Sequence, residues 1–347
     1  MKLNGSAIVF DRPRHAVLRP VEFPEVTADS VVVATRCSGI SLGTELSLYE
    51  GIGIEESNSY YPMIPGYEEV GEVIYAGPDA ARDADGTPFR PGDRVMANEV
   101  RKYPGGISSA WGGHAAFAVK NPQTAPAPMD ELARIPDNVG YPEAVVAYLA
   151  AVALKGVDML AVRPGETVLV VGMGNVGLSA LQLAKIAGAG RIIAADITPG
   201  RLARAAKYTE HLIDLRNCGN PAEAIRACNG GGLADAVIEA SGCPDAVSPL
   251  ADYVRPGGRI HLQGQYRAPI VITRYARWNC SDLSITCSIA TEAGCKARIL
   301  KLISEGKFDA KLYDKIVPVA EAPESYAAIA ADRYKYLKIL FRWEDAE

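Results

Sequence analysis

Hydrophobic and polar residues follow two different textures along this chain. Over roughly the first 140 residues the apolar runs are short and β-branched, at 30–35, 68–76 and 93–96, with Gly or Pro between them. That texture predicts strands joined by tight turns, with a polar loop at 77–91 between two of them. Residues 142–162 are Ala-rich and apolar all round, which predicts a buried connecting helix. Thereafter strands at 167–171, 191–195, 212–214, 234–239 and 259–263 alternate with helical segments, two of them at 176–187 and 201–207. Uninterrupted apolar strands between helices predict a parallel sheet covered on both faces. The tail reads as a helix at 320–331 and a last strand at 336–341.

The chain has 347 residues, enough for two domains of roughly 150 residues each. Hydrophobic residues make up 48% and charged residues 22%, the balance of a folded protein. A net charge of −5 argues against nucleic acid or an anionic membrane as partner. The longest apolar run, 144–154, has 11 residues, against roughly 20 needed to span a bilayer. The first residues carry no apolar signal core, so the cytoplasm is the expected location. Seven cysteines and four histidines are scattered without a Cys-x-x-Cys pair, which predicts reduced thiols and argues against a zinc or iron–sulfur cage.

One segment carries recognisable chemistry. Gly172, Gly174 and Gly177 are spaced Gly-x-Gly-x-x-Gly directly after an apolar strand and at the start of a helix. Gly172 suits the tight turn, Gly174 the close approach of backbone to a pyrophosphate, and Gly177 close helix–strand packing. Asn175 and Val176 lie between them at the helix N-terminus. Asp196 follows Gly177 by 19 residues and is placed to bind the ribose hydroxyls. Its carboxylate favours NAD over NADP, while Arg201, beyond Ile197, could soften that choice. The alternative for Asp196 is a surface acid that merely ends a strand.

Taken with these glycines, several stretches resemble the medium-chain dehydrogenase/reductase superfamily over nearly the full length, especially its sorbitol/threonine dehydrogenase-like branch. They are Gly39-Ile40-Ser41-Leu42-Gly43-Thr44-Glu45, Pro65-Gly66-Tyr67-Glu68-Glu69-Val70-Gly71, the run 91–95 and the run 235–242. The resemblance implies an α/β chain made of a GroES-like β-barrel catalytic domain and a Rossmann domain with a doubly wound parallel sheet. It places the first at 1–150, completed by 309–347, and the NAD-binding domain at 151–308. It also implies a cleft between domains for nicotinamide and substrate, with Ser241, Gly264, Gln265 and Tyr266 near the cofactor. A homodimer paired through the nucleotide sheet is implied too, with 283–290 as the candidate edge.

At the family's zinc positions the sequence departs. The ligand cysteine falls on Ser41 or Leu42, depending on where a one-residue insertion is placed, the ligand histidine on Tyr67, and the helix acid on Tyr148. Glu68 alone remains, and no cysteine lies between Cys37 and Cys218 to build the structural zinc lobe. Catalytic zinc normally takes three protein ligands. The chain therefore resembles a zinc-free member, similar in type to the bacteriochlorophyll-pathway hydroxyethyl dehydrogenases.

Without a metal, alcohol chemistry needs another proton carrier. Tyr67 and Tyr148 are the candidates, and Lys155, two turns beyond Tyr148, could lower a phenol's pKa. Ser41 and Thr44 offer loop hydroxyls, and Glu45 and Glu68 could orient the phenols. Each has a plainer alternative: the tyrosines filling the space of the metal, Lys155 reaching solvent or the cofactor ribose, the hydroxyls capping turns. Tyr60, Tyr61, Trp111 and His114 could line a pocket or simply pack in a core. The function expected is NAD-dependent interconversion of a secondary alcohol and a ketone on a polar small molecule. Zinc-free quinone or enoyl reduction, or NAD(H) binding without catalysis, are the alternatives.

Overall fold

The computed structural model describes residues 2–54, 59–124 and 131–343, and they divide into two compact units. The first comprises Met1–Tyr148, Glu292–Gly306 and Ala310–Glu347; the second comprises Leu149–Thr291 and Lys307–Asp309. The expected chain return at 309 thus falls earlier, at Glu292. The helix Cys295–Ser304 joins the first unit because Lys296 Nζ donates to the Glu131 carbonyl and Gly294 N–H to the Glu131 carboxylate. The short segment Lys307–Asp309 stays with the second unit, where Asp309 accepts from Lys207 and Tyr208.

The first unit is the GroES-like one. Its opening hairpin, Asn4–Arg12 with His15–Glu22, serves two cores at once. Ile8 and Phe10 enter a cluster with Ile40, Leu46, Met63, Tyr326 and Phe341, while Ala7 and Val9 enter another with Val31, Val33, Val73 and Val95. Successive residues of a strand point to opposite faces, so one apolar run can feed both. The long strand Val31–Gly39 pairs antiparallel with Glu69–Ala76, Phe117–Lys120 and the returning Ile339–Arg342. This last pairing brings the C-terminal segment, including Lys338, to the segment around Ile40.

The second unit is a Rossmann sheet of six parallel strands among the described residues. Counted along this unit the strand order is 3-2-1-4-5-6, running from His211–Asp214 at one edge to Ser284–Cys287 at the other. Its first strand, Thr167–Val171, is buried at every residue, as expected for the middle of a sheet covered on both faces. The expected apolar helix runs Tyr141–Leu160, and the chain passes from the first unit into the second within it. No helix among the described residues is long and apolar enough to cross a membrane.

Candidate functional site

In the second unit the glycine loop turns directly off the strand Thr167–Val171. Gly172 takes φ +93°, and a Cβ there would stand 2.6 Å from the Ser241 nitrogen. Gly177 is tighter still: a Cβ would meet the Gly172 carbonyl oxygen at 1.7 Å. Gly174 is the opposite case, with no protein atom within 4 Å of such a Cβ. It precedes the helix Asn175–Ile186, whose N-terminus no side chain caps. A closed turn, an open approach and an uncapped helix start together fit the phosphates of a dinucleotide.

Asp196 is almost fully buried. One carboxylate oxygen accepts from Met173 N–H in the glycine loop at 2.6 Å, the other from Thr198 N–H at 2.7 Å. The acid therefore braces the loop, and each oxygen keeps a second acceptor site. Ile197 beside it is exposed and Arg201 half-buried. At the carboxyl ends of the strands Ala234–Glu239 and Val254–Leu262, Glu239 gathers the Ser241 and Tyr266 hydroxyls. A Cβ on Gly264 would stand 2.6 Å from the Gly242 nitrogen, so those two loops touch through backbone. Gln265 lies between Gly264 and Tyr266 on the same loop. Glu239 itself was not among the expected binders, although an acid closing an otherwise apolar strand was a readable signal.

In the first unit Tyr67, Ser41, Thr44, Glu68 and Tyr148 come together. Tyr67 sits in the turn before Glu69–Ala76, next to Gly66 at φ +99°, where a Cβ would collide with the His114 ring at 2.6 Å. Its phenol donates to the Ser41 hydroxyl, and Thr44 makes a second side-chain hydrogen bond to it. Thr44 opens the helix Thr44–Glu50 and is not a loop residue as expected. The Tyr67 ring lies 4.9 Å from Tyr148, tilted by 38°, and meets Trp111 edge-on at 5.4 Å. Tyr148 Oη donates to Glu99 at 3.4 Å, and the other Glu99 oxygen contacts the Arg101 guanidinium.

Behind the phenols two buried carboxylates are held by separate partners. Lys338 donates to both oxygens of Glu68, at 2.6 and 2.5 Å, and to the Ile40 carbonyl at 3.3 Å. Glu45 bonds His114 at 2.9 Å and accepts from Tyr326 at 2.6 Å. Burial raises the Glu68 pKa to about 7, and Lys338 offsets part of that rise. Tyr67 is pushed well above its ordinary value, first by burial and then by the charges of Glu68 and Glu45. This is opposite to the lowering expected from a neighbouring cation. Lys155, the residue expected to supply it, lies in the second unit, where it donates to the Ile289 carbonyl at 3.2 Å beside His261.

His261 is buried and bonded through both ring nitrogens, to Thr286 and to Gln263 and Ser288. Among the described residues no three His, Cys, Asp or Glu side chains form a group able to hold a metal. Around Glu68 the residues present do not suit one: its oxygens are taken by an ammonium, and its neighbour Tyr67 is bonded to Ser41.

A Rossmann sheet whose glycine loop suits the phosphates of a dinucleotide, carried in one chain with a GroES-like unit, is the fold that solved alcohol dehydrogenases share. The family described as zinc-binding dehydrogenase matches residues 175–305. The chain is 29% identical over 332 residues to 2-desacetyl-2-hydroxyethyl bacteriochlorophyllide A dehydrogenase of Rhodobacter capsulatus, covering 91% of each. It is 28% identical over 274 residues to sorbitol dehydrogenase of Bacillus subtilis, covering 75% of each. Among solved structures, alcohol dehydrogenase TADH of Thermus sp. ATN1 superposes with a TM-score of 0.80 at 26% identity, over 97% of this chain and 99% of that one. These likenesses, in sequence and in fold, support the medium-chain dehydrogenase/reductase superfamily as the group this chain resembles.

Proposed function

We propose that this protein is a zinc-independent, NAD(H)-dependent oxidoreductase that interconverts a secondary alcohol and a ketone on a polar small molecule, such as a sugar, a cyclitol or a related biosynthetic intermediate. The observation that carries the reading is the tyrosine pair: two phenols with ring centroids 4.9 Å apart stand at the positions that correspond to the family's ligands, beside a Glu68 whose two oxygens are both taken by Lys338. A bound nicotinamide dinucleotide supplies the hydride acceptor or donor. Gly172, Gly174 and Gly177 receive its phosphates, with Asn175 and Val176 at the helix start. Asp196 sets the preference for NAD, since its carboxylate repels a 2′-phosphate. Ser241, Gly264, Gln265 and Tyr266 bound the nicotinamide end, and a tyrosine of the Tyr67–Tyr148 pair carries the alcohol proton. Ser41 and Thr44 orient Tyr67.

The relatives named sorbitol dehydrogenase and bacteriochlorophyllide dehydrogenase support a polar alcohol as substrate. The cytoplasm is the compartment in this reading. A homodimer formed through the strand Ser284–Cys287 completes the proposal.

The test pairs binding with turnover. Fluorescence titration with NADH and NADPH should give tighter binding of NADH. Oxidation of sorbitol, myo-inositol or butane-2,3-diol with NAD should be measurable, and replacing the tyrosine that carries the proton with Phe should cut kcat by about 10². NADH affinity should not change in either Tyr67→Phe or Tyr148→Phe. Binding without turnover on any such alcohol, or on the matching ketones, would instead identify a non-catalytic NAD(H)-binding protein.

A further inference from the structure

The two phenols are not in equivalent surroundings. Tyr67 donates to a neutral hydroxyl, Ser41, and faces the charges of Glu68 and Glu45. A proton lost from that phenol has no anionic acceptor in hydrogen-bond contact, and the phenolate would stand among like charges. Tyr148 donates toward a carboxylate, Glu99, at 3.4 Å, a separation at the long end that catalytic hydrogen bonds in unliganded sites commonly show. Glu99 is itself 1% exposed, whereas its partner Arg101 has 32% of its side chain in contact with solvent. Arg101 also lies over the Trp111 ring, 6.0 Å from its centre, and Trp111 packs on Tyr67. Tyr67, Tyr148, Glu99, Arg101 and Trp111 therefore form one closed circuit of contacts within the first unit.

The backbone that carries this circuit enters the left-handed region at two residues. Asn98, immediately before Glu99, takes φ +58°, and Trp111 takes φ +71°; neither is glycine. Val100 N–H bonds the Trp111 carbonyl at 2.7 Å and ties the two segments together. Among the described residues, titratable and charged groups face Glu99 from its own segment and from two further elements. Arg101 is on its own segment, Tyr148 on the helix Tyr141–Leu160, and Lys120 on the strand Phe117–Lys120, where its ammonium donates to the Glu99 carbonyl. Lys120 in turn interacts with Glu69.

We propose that the alcohol proton leaves through Tyr148 to Glu99, with Glu99 acting as a relay and positioning residue that Arg101 keeps ionised. This deepens the dehydrogenase reading and rests on it. In the oxidative direction the substrate O–H bond breaks and its proton passes to Tyr148 Oη, while the phenolic proton passes to Glu99. The carbinol C–H bond breaks with its electron pair going to the oxidised nicotinamide, so the alcohol is oxidised to the ketone and NAD is reduced. Glu99 then returns its proton to solvent along the partly exposed Arg101. A free phenol near its ordinary pKa of about 10 is ionised to only about one part in 10³ at pH 7. A phenol that passes one proton on as it receives another never needs to be a phenolate.

The experiment is a set of pH profiles, from pH 5 to 10, for oxidation of whichever of sorbitol, myo-inositol or butane-2,3-diol the wild type turns over. Wild-type kcat should fall on the acid side as Glu99 takes a proton. Glu99→Gln, nearly isosteric, should lower kcat by about 10² and abolish that acid limb while NADH binds within about twofold of wild type. Arg101→Gln should shift the acid limb upward by about one pH unit, because the guanidinium favours the ionised carboxylate. A Glu99→Gln enzyme with wild-type kcat, or with an unchanged acid limb, overturns the relay and leaves the dehydrogenase reading standing. The same holds if Tyr67→Phe is inactive while Tyr148→Phe is not. Absence of wild-type turnover on every alcohol tested overturns that reading, and the relay with it.

Discussion

Residue by residue, the first unit departs most from ordinary proteins in its buried acids. Glu69 is fully enclosed beside Glu68; Thr35 donates to one of its oxygens at 2.7 Å, and the other has no hydrogen-bond partner. Burial raises its pKa to about 8, with the Thr35 bond and the Lys120 charge offsetting part of the rise. The folded pKa thus lies above the unfolded value, near 4.5, so the folded chain holds a proton that the unfolded chain releases. The stability Glu69 contributes is fully present below about pH 4.5 and is lost as pH rises through about 8. Glu69→Gln removes that dependence. Its Tm relative to wild type should therefore climb by several degrees between pH 5 and pH 9, whatever constant penalty the amide adds, as scanning calorimetry at each pH would record. A gap that stays flat with pH would show that Glu69 does not titrate in this window. Little of this was legible beforehand. Tyr67 and Tyr148 stood out because they replace residues in recognisable stretches, whereas Glu99 and Arg101 lie in an irregular segment with no period to flag them.

Among the elements, the nucleotide-binding half was the more readable. Its strands are uninterrupted apolar runs, and the glycines that follow Thr167–Val171 have distinct steric duties. The barrel half was harder. The hairpin Asn4–Glu22 has no Asn-Gly or Asp-Gly turn to announce it. The helix Thr44–Glu50 is only 7 residues long between Gly43 and Gly51, too short for a period to emerge. The helix Cys295–Ser304 lies within the expected 151–308 stretch, and its place in the first unit depends on a contact with distant Glu131 that no local pattern announces. The glycine loop offers a clean test. At Gly174, φ is −78° and a Cβ would meet nothing, so Gly174→Ala should leave Tm within about 2 °C and weaken NADH at least tenfold. At Gly177 the 1.7 Å approach to Gly172 O leaves no room, so Gly177→Ala should lower stability by roughly 1–3 kcal/mol or more. NADH binding equal to wild type in Gly174→Ala would mean that the dinucleotide does not lie across this loop.

For the molecule as a whole, the open question of assembly turns on one edge of the Rossmann sheet. The strand Ser284–Cys287 pairs with Val254–Leu262 on one side, and within this chain nothing pairs with its other side among the described residues. Ile285 on that strand is 51% exposed and Ile289 just beyond it 72%, where a solvated edge strand would ordinarily carry charge. A second copy presenting the same edge would satisfy both backbones and cover both isoleucines, the self-complementary arrangement of a two-fold dimer. Light scattering behind size exclusion should accordingly give twice the chain mass for wild type at micromolar concentration. Ile285→Lys, which places like charges across the junction, should dissociate to monomer while its NADH affinity stays unchanged. The choice of Ile285 matters, since Thr286 and Ser288 hold His261 and their replacement would disturb the sheet from within. A wild type that elutes as a monomer, or an Ile285→Lys variant that remains dimeric at the same concentration, would move any assembly to another surface.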